Sequence, residues 1–185
     1  MALAVPRLRR LDPLGALLAV AGATAVIFLP FVVFKPNRIV PGDPRGLLEV
    51  LPAWGAFACQ ATLILAAFAA LAMSNARVRL GAALLGVVVV ALAVAAAGDA
   101  LTPPGNKVVR VAPGAAFWVL LMCLGLMATD AITRMRPGPL WRVLFLAVFT
   151  AAAGLALAHG TFDHLSVMRE YAVNAERFAR EARQH

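Results

Sequence analysis

Leu80-Gly-Ala-Ala-Leu-Leu-Gly-Val-Val-Val-Val-Ala-Leu-Ala-Val-Ala-Ala-Ala-Gly98 is an unbroken apolar run of nineteen residues. A helix that crosses the hydrocarbon of a bilayer needs about 20 largely apolar residues, with a workable minimum near 17. Four other stretches read the same way: Leu14–Phe34, Pro52–Ser74, Pro113–Thr129 and Leu140–Ala158. No charged side chain lies near the middle of any of the five; Asp99 and Asp130 fall just past span ends, and Arg142 at the start of the last. The expected fold class is an all-α integral membrane protein with five transmembrane helices plus a C-terminal amphipathic helix.

Composition agrees. Of 185 residues, 62% are hydrophobic, far above the share in ordinary globular domains. The formal charge of +8 would suggest nucleic acid in a soluble chain. Here the positive charges sit in loops, where they set topology, so nucleic acid is not expected as a partner and membrane lipid is. Cys59 and Cys123 both lie inside apolar spans and have no metal-binding spacing, which suits small buried hydrophobes. Arg7, Arg9 and Arg10 precede the first span as in a secretory signal, but that span exceeds the 7–15 residues of a signal's apolar region. An uncleaved first helix is expected.

Orientation follows from the basic residues, which concentrate in short cytoplasmic loops. One side holds Arg7, Arg9, Arg10, Arg77, Arg79, Arg134, Arg136 and Arg142 against Asp12 and Asp130, a net of +6. The other holds Lys35, Arg38, Arg45, Lys107 and Arg110 against Asp43, Glu49 and Asp99, a net of +2. The N-terminus is expected inside and, after five crossings, the C-terminus outside.

Local signals fill in the chain. Asp12-Pro13 reads as a helix cap followed by a proline pre-set for the first turn. Gly15, Ala19 and Ala23 form a small-residue stripe that lets a neighbour approach, and Pro30 should end or kink this helix. The first outer loop is dense in turn formers, and Asn37 and Arg38 are expected to organise it rather than bind substrate. A short interfacial helix is expected from Pro44 to Leu51. Asn75 to Arg79 reads as a five-residue inner loop joining antiparallel neighbours, and Asp99 to Ala112 as irregular outer chain. Trp141 and Arg142 read as an interfacial anchor pair. The division expected is a five-span membrane domain over 1–160 and an extramembrane amphipathic helix over 161–185. In that tail, Leu165, Met168, Tyr171, Ala172, Ala175 and Phe178 share one face at 100° per residue. Tyr171 and Phe178 are expected to make protein contacts.

Little here suggests catalysis. An ionisable side chain within the membrane is by default a functional candidate, but none occupies a midplane position. Asp99 reads as an outer-end cap, and Asp130 as the partner of Arg134 one turn on. His159, Asp163 and His164 make the best metal-like cluster, without the His-Glu-x-x-His arrangement that puts two ligands on one helix face. No phosphate-binding loop, nucleophile elbow or dinucleotide fingerprint occurs. The reading assigns no catalytic residue, cofactor or metal.

Several motifs taken in order are similar to one family. Pro36-Asn-Arg-Ile-Val-Pro-Gly-Asp43, Ala116-Phe-Trp118, Asp130-Ala-Ile-x-Arg134, Pro139-Leu-Trp-Arg142, Gly160-Thr-x-x-x-Leu-Ser166 and Met168-Arg-Glu-Tyr171 resemble the N-terminal membrane extension of long-form osmoprotectant ABC-transporter permeases, the bacterial glycine-betaine/choline type. The resemblance implies a membrane-embedded accessory domain in the inner membrane. Its partners would be a permease core, in the same or a separate chain, and indirectly an ABC ATPase and a solute-binding protein. In that family a core with a Glu-Ala-Ala-type ATPase-docking loop follows; His185 falls where the core's first helix is expected to begin. The alternatives are a stand-alone membrane scaffold or assembly protein without transport activity, and an enzyme or ion-coupled carrier using the residues near His159.

Overall fold

A computed structural model describes residues 12–184 apart from 38, 104, 106 and 107; of 178, 179 and 182 it describes only the backbone. Among the described residues seven helices and three short strands follow in the order α1 (Pro13–Phe28), β1 (Val32–Lys35), β2 (Asp43–Arg45), α2 (Leu47–Val50), α3 (Ala53–Ala72), α4 (Ala76–Leu101), β3 (Arg110–Pro113), α5 (Ala115–Met135), α6 (Pro139–Ala158) and α7 (Ser166–Gln184). Among the described residues α3, α4, α5 and α6 are long and apolar enough to cross a membrane. The first apolar stretch contributes a helix of only 16 residues.

The reasons for these boundaries are local. Asp12 caps α1, its Oδ1 accepting the Gly15 N–H at 3.1 Å, with Pro13 in the first turn. The helix stops at Phe28 because Pro30 holds the preceding Leu29 in extended geometry (φ −108°, ψ 147°). Asn75 caps α4 by accepting the Arg77 N–H at 3.0 Å. α5 ends on Arg136 in the left-handed region (φ 47°), and Pro137 prevents its continuation.

α1, α3, α4 and α5 form a four-helix ring, with contacts α1 to α3, α3 to α4, α4 to α5 and α5 to α1. At Gly15 the ring closes backbone to backbone: a Cβ there would stand 2.1 Å from the Ala70 carbonyl oxygen. The expected small-residue contact is therefore made with α3. α6 stands outside the ring with no buried residue.

Beyond one end of the ring the connections form a three-stranded antiparallel sheet in the order β2-β1-β3. Val32 faces Arg45 and Pro113 across the sheet, and Phe34 faces Asp43 and Val111. Two expectations change here. The outer segment 99–112 is not irregular throughout, since α4 runs on to Leu101 and Arg110–Pro113 is a strand. The helix expected from Pro44 is reduced to Leu47–Val50, because Asp43–Arg45 pairs with β1; Glu49 reaches back to the Gly46 N–H at 3.0 Å and starts it. Pro44 is tolerated because β2 is an edge strand. Phe31 and Val32 are fully buried beneath the sheet, and Phe31 meets Phe117 edge to face at 6.2 Å.

The Gly15 contact generates a paired test. Gly15→Ala drives a methyl into the α3 backbone and should cost about 1–3 kcal/mol. Gly22→Ala, whose Cβ meets only the Leu120 side chain at 3.7 Å, should be neutral in thermal unfolding of the purified chain in detergent.

Candidate functional site

Three of the ring's helix ends bring four ionisable side chains together at the end opposite the sheet. Arg79, in the first turn of α4, is 1% exposed. Its Nη1 donates to Asp12 Oδ2 at 3.0 Å and to the Ala70 carbonyl at 2.8 Å, and its Nη2 to Asp130 Oδ2 at 2.8 Å. Arg134 closes the cluster from outside, with Nε 3.0 Å from Asp130 Oδ1 and Nη2 on Asp12. One guanidinium thus joins the α1 cap, the last turn of α3, the start of α4 and the lower part of α5. Two positive and two negative groups leave the cluster neutral.

Arg79 stands as a correction to the sequence reading, which counted it as a loop charge. The inner connection is only Met73 to Asn75, so Arg79 is helical and faces inward. A usable signal existed: Asp12 and Asp130 are the two acids on that side, and each needs a cation once buried. Asp130 does pair with Arg134, as the four-residue spacing suggested, but it also takes the buried guanidinium.

Burial works to raise the Asp12 carboxyl, yet the Gly15 N–H, Arg134 and Arg79 outweigh it and hold the group below its ordinary value of 3.8. A carboxylate depressed in the folded state stabilises fully above its unfolded value and loses that contribution as pH falls through the folded one. Asp12 therefore supports the cluster throughout the physiological range and loses that contribution only below its ordinary value of 3.8.

A second polar assembly lies at the sheet end. Leu165 is buried in the core and bridges to Val111. Arg169 donates to the Val109 carbonyl at 2.9 Å, Arg110 Nε lies 3.4 Å from Glu170, and His164 Nε2 lies 3.4 Å from Asp99. These contacts fasten the first turns of α7 to β3 and to the end of α4. Asp99 thus meets His164 rather than simply capping its helix, and among the described residues no three metal-ligating side chains gather. Tyr171 is 55% exposed, and the Phe178 side chain lies outside the described set.

The remaining sequence candidates fall elsewhere. Asn37 Oδ1 accepts the N–H groups of Ile39 and Val40, both at 2.9 Å, and so shapes an exposed turn; Arg38 lies outside the described residues. Trp141 is exposed and packs against Phe145 with ring centres 6.5 Å apart, while Arg142 Nε donates to the Pro137 carbonyl at 3.1 Å. Sequence reading also passed over Gln60. It brings a carboxamide to the wall of an otherwise apolar cleft of about 330 Å³ between α1, α3 and α5.

The geometry defines a polytopic membrane module held by a neutral ion cluster at one end and a small sheet at the other. Residues 12–168 match the family model described as ABC transporter permease YehY, N-terminal domain, and the chain belongs to that family. It is therefore a transporter-permease domain. No curated protein and no solved structure matches it.

Removing one partner of a buried ion pair costs about 3–5 kcal/mol, because the other charge is left uncompensated. Arg79→Met should therefore lose most of its folded yield by size-exclusion chromatography, whereas Arg77→Met, on the exposed side of the same turn, should not. At the other end Leu165→Ala should cost about 2–5 kcal/mol of local stability, read as faster amide exchange from Ser166 to Arg183 with α3 to α5 unchanged.

Proposed function

We propose that this chain is the accessory membrane module of an ABC permease that imports glycine betaine or a similar osmoprotectant across a bacterial inner membrane. The osmoprotectant class rests on the motif resemblance. The role as an accessory module rests on one geometric observation. α6 is a full-length apolar helix without a buried residue, joined to the ring only through 136–138 at one end and 159–165 at the other. A span that buries no residue against its own module leaves most of its surface available to a permease core. Ala147, Ala151, Gly154 and Ala158 recur on it at three- and four-residue spacing, which permits close helix approach. The core, and through it an ATPase and a solute-binding protein, are the partners this reading implies.

In this reading α1 is the fifth crossing. Its 16 residues reach only about 24 Å, but the chain continues through Phe31 into β1 at Val32, both of which protein covers completely. Irregular backbone at membrane depth is tolerated where it is buried in protein. The Arg79 cluster then marks the cytoplasmic end and the sheet the outer end.

In a full-length permease carrying this module, Ala151→Leu with Gly154→Leu overpacks the α6 surface by about 1–3 kcal/mol, so glycine-betaine uptake should fall roughly tenfold while the ring stays folded. Unchanged uptake would remove α6 from the coupling surface. Val108→Cys should react in intact cells with a thiol reagent that cannot cross the membrane; reaction only after the inner face is opened would reverse the orientation.

A further inference from the structure

Five described arginines sit at the Arg79 end of the molecule, and they divide into two groups. Arg79 and Arg134 are neutralised by Asp12 and Asp130. Arg77, Arg136 and Arg142 form no ion pair among the described residues, and all three are exposed. These three belong to the first turn of α4, the end of α5 and the first turn of α6. Between those same three elements lies a gap of about 740 Å³, lined by Arg77 itself, by Met135 and Pro137 on either side of Arg136 in the chain, and by Trp141, which precedes Arg142. Its deeper wall is apolar, from Leu80, Leu84 and Phe145, and its mouth carries Arg77 and Trp141.

We propose that this gap is a binding site for one anionic phospholipid, whose acyl chains lie between α4 and α6 and whose headgroup phosphate is taken by Arg77 and Arg136, with Arg142 beside it. Each feature matches a part of such a molecule. The wall is apolar at the depth of the acyl chains and cationic at the depth of the headgroups, with Trp141 at the boundary where indole rings are favoured. Arginine is suited to phosphate because its planar fork donates two parallel hydrogen bonds. A soluble anion would be served by the arginines alone and would leave the apolar wall uncovered. A neutral lipid would cover the wall but leave Arg77 and the arginines at the adjoining ends of α5 and α6 unanswered. Basic pockets between membrane helices are a recognised setting for anionic headgroups. The site requires only that the chain be in a bilayer, so it stands whichever way the module faces and whatever solute the transporter carries.

The test uses the purified chain with Trp54→Phe and Trp118→Phe, which leaves Trp141 as the single indole. Quenching is measured with brominated phosphatidylglycerol and, separately, with brominated phosphatidylcholine. Each basic residue near an anionic surface favours binding about fivefold, so with Arg77 and Arg136 on the phosphate, phosphatidylglycerol should quench at roughly twenty-five-fold lower mole fraction. Arg77→Gln with Arg136→Gln should abolish that difference. Gly81→Phe, whose Cβ projects into open space, should obstruct the gap and reduce quenching by phosphatidylglycerol with every arginine still present. Equal quenching by both lipids in the parent, or a preference surviving either variant, would overturn the proposal. Loss of the preference on adding inorganic phosphate at matching concentration would also overturn it, since the arginines would then be an anion site in water rather than a lipid site.

Discussion

The guanidinium of Arg79 is the constraint on which the module depends. Within or beside a hydrocarbon layer a buried cation is expensive unless it is paired and hydrogen-bonded. This one is answered by two carboxylates and a backbone carbonyl drawn from three other helices. Loss of either carboxylate removes one of the guanidinium's two ion pairs, so the helix ends are held in one arrangement. The Gly15 contact belongs to the same device: α1 comes close enough to Ala70 for Asp12 to reach the guanidinium that also takes the Ala70 carbonyl. Apolar packing between helices has no water-driven force in lipid, which makes a few directional polar contacts disproportionately important for specifying the fold.

The opposite end is specified differently. There the connections leave the helices as three strands, whose backbone groups satisfy one another, and the sheet seals Phe31 and Val32. α7 is secured by Leu165 in the core, by Arg169 on the Val109 carbonyl just before β3 and by Glu170 on Arg110 of β3, which fixes where the chain leaves the membrane module. Between these two ends α6 is tethered yet uncovered. A rigid ring, a positioned exit helix and an unpacked span together suit a domain that presents surfaces to a larger permease.

Much of this was legible in the residues. Hydropathy located α3 to α6, the Asp12-Pro13 cap was readable, and the four-residue step from Asp130 to Arg134 implied their pair. Arg79 was not readable in the same way, because it is five residues past the end of one apolar run and one before the next. A hydropathy profile cannot distinguish a solvated loop arginine from one folded inward by a helix that starts three residues earlier. The strands were hidden by their brevity, and by Pro44 and Pro113, which ordinarily argue against a strand and are tolerated here at an edge and at an end. The exposure of α6 was invisible for another reason: its composition matches that of its packed neighbours, and the difference lies wholly in what surrounds it. The YehY N-terminal family relationship agrees with the permease part of the motif resemblance.

The account's central claim is that Asp12 and Asp130 are coupled through Arg79, which lies between them, while the half-exposed Arg134 pairs with both from outside. The direct measurement is the unfolding free energy, in one detergent, of Arg79→Met alone and of Arg79→Met combined with Asp12→Asn and Asp130→Asn. A buried charge stranded by loss of its partner costs about 3–5 kcal/mol, so removing all three charges should restore a large part of what the single change loses. If the triple variant is instead less stable than Arg79→Met by the summed costs of the two asparagine changes, the carboxylates act independently of Arg79 and the claim is wrong.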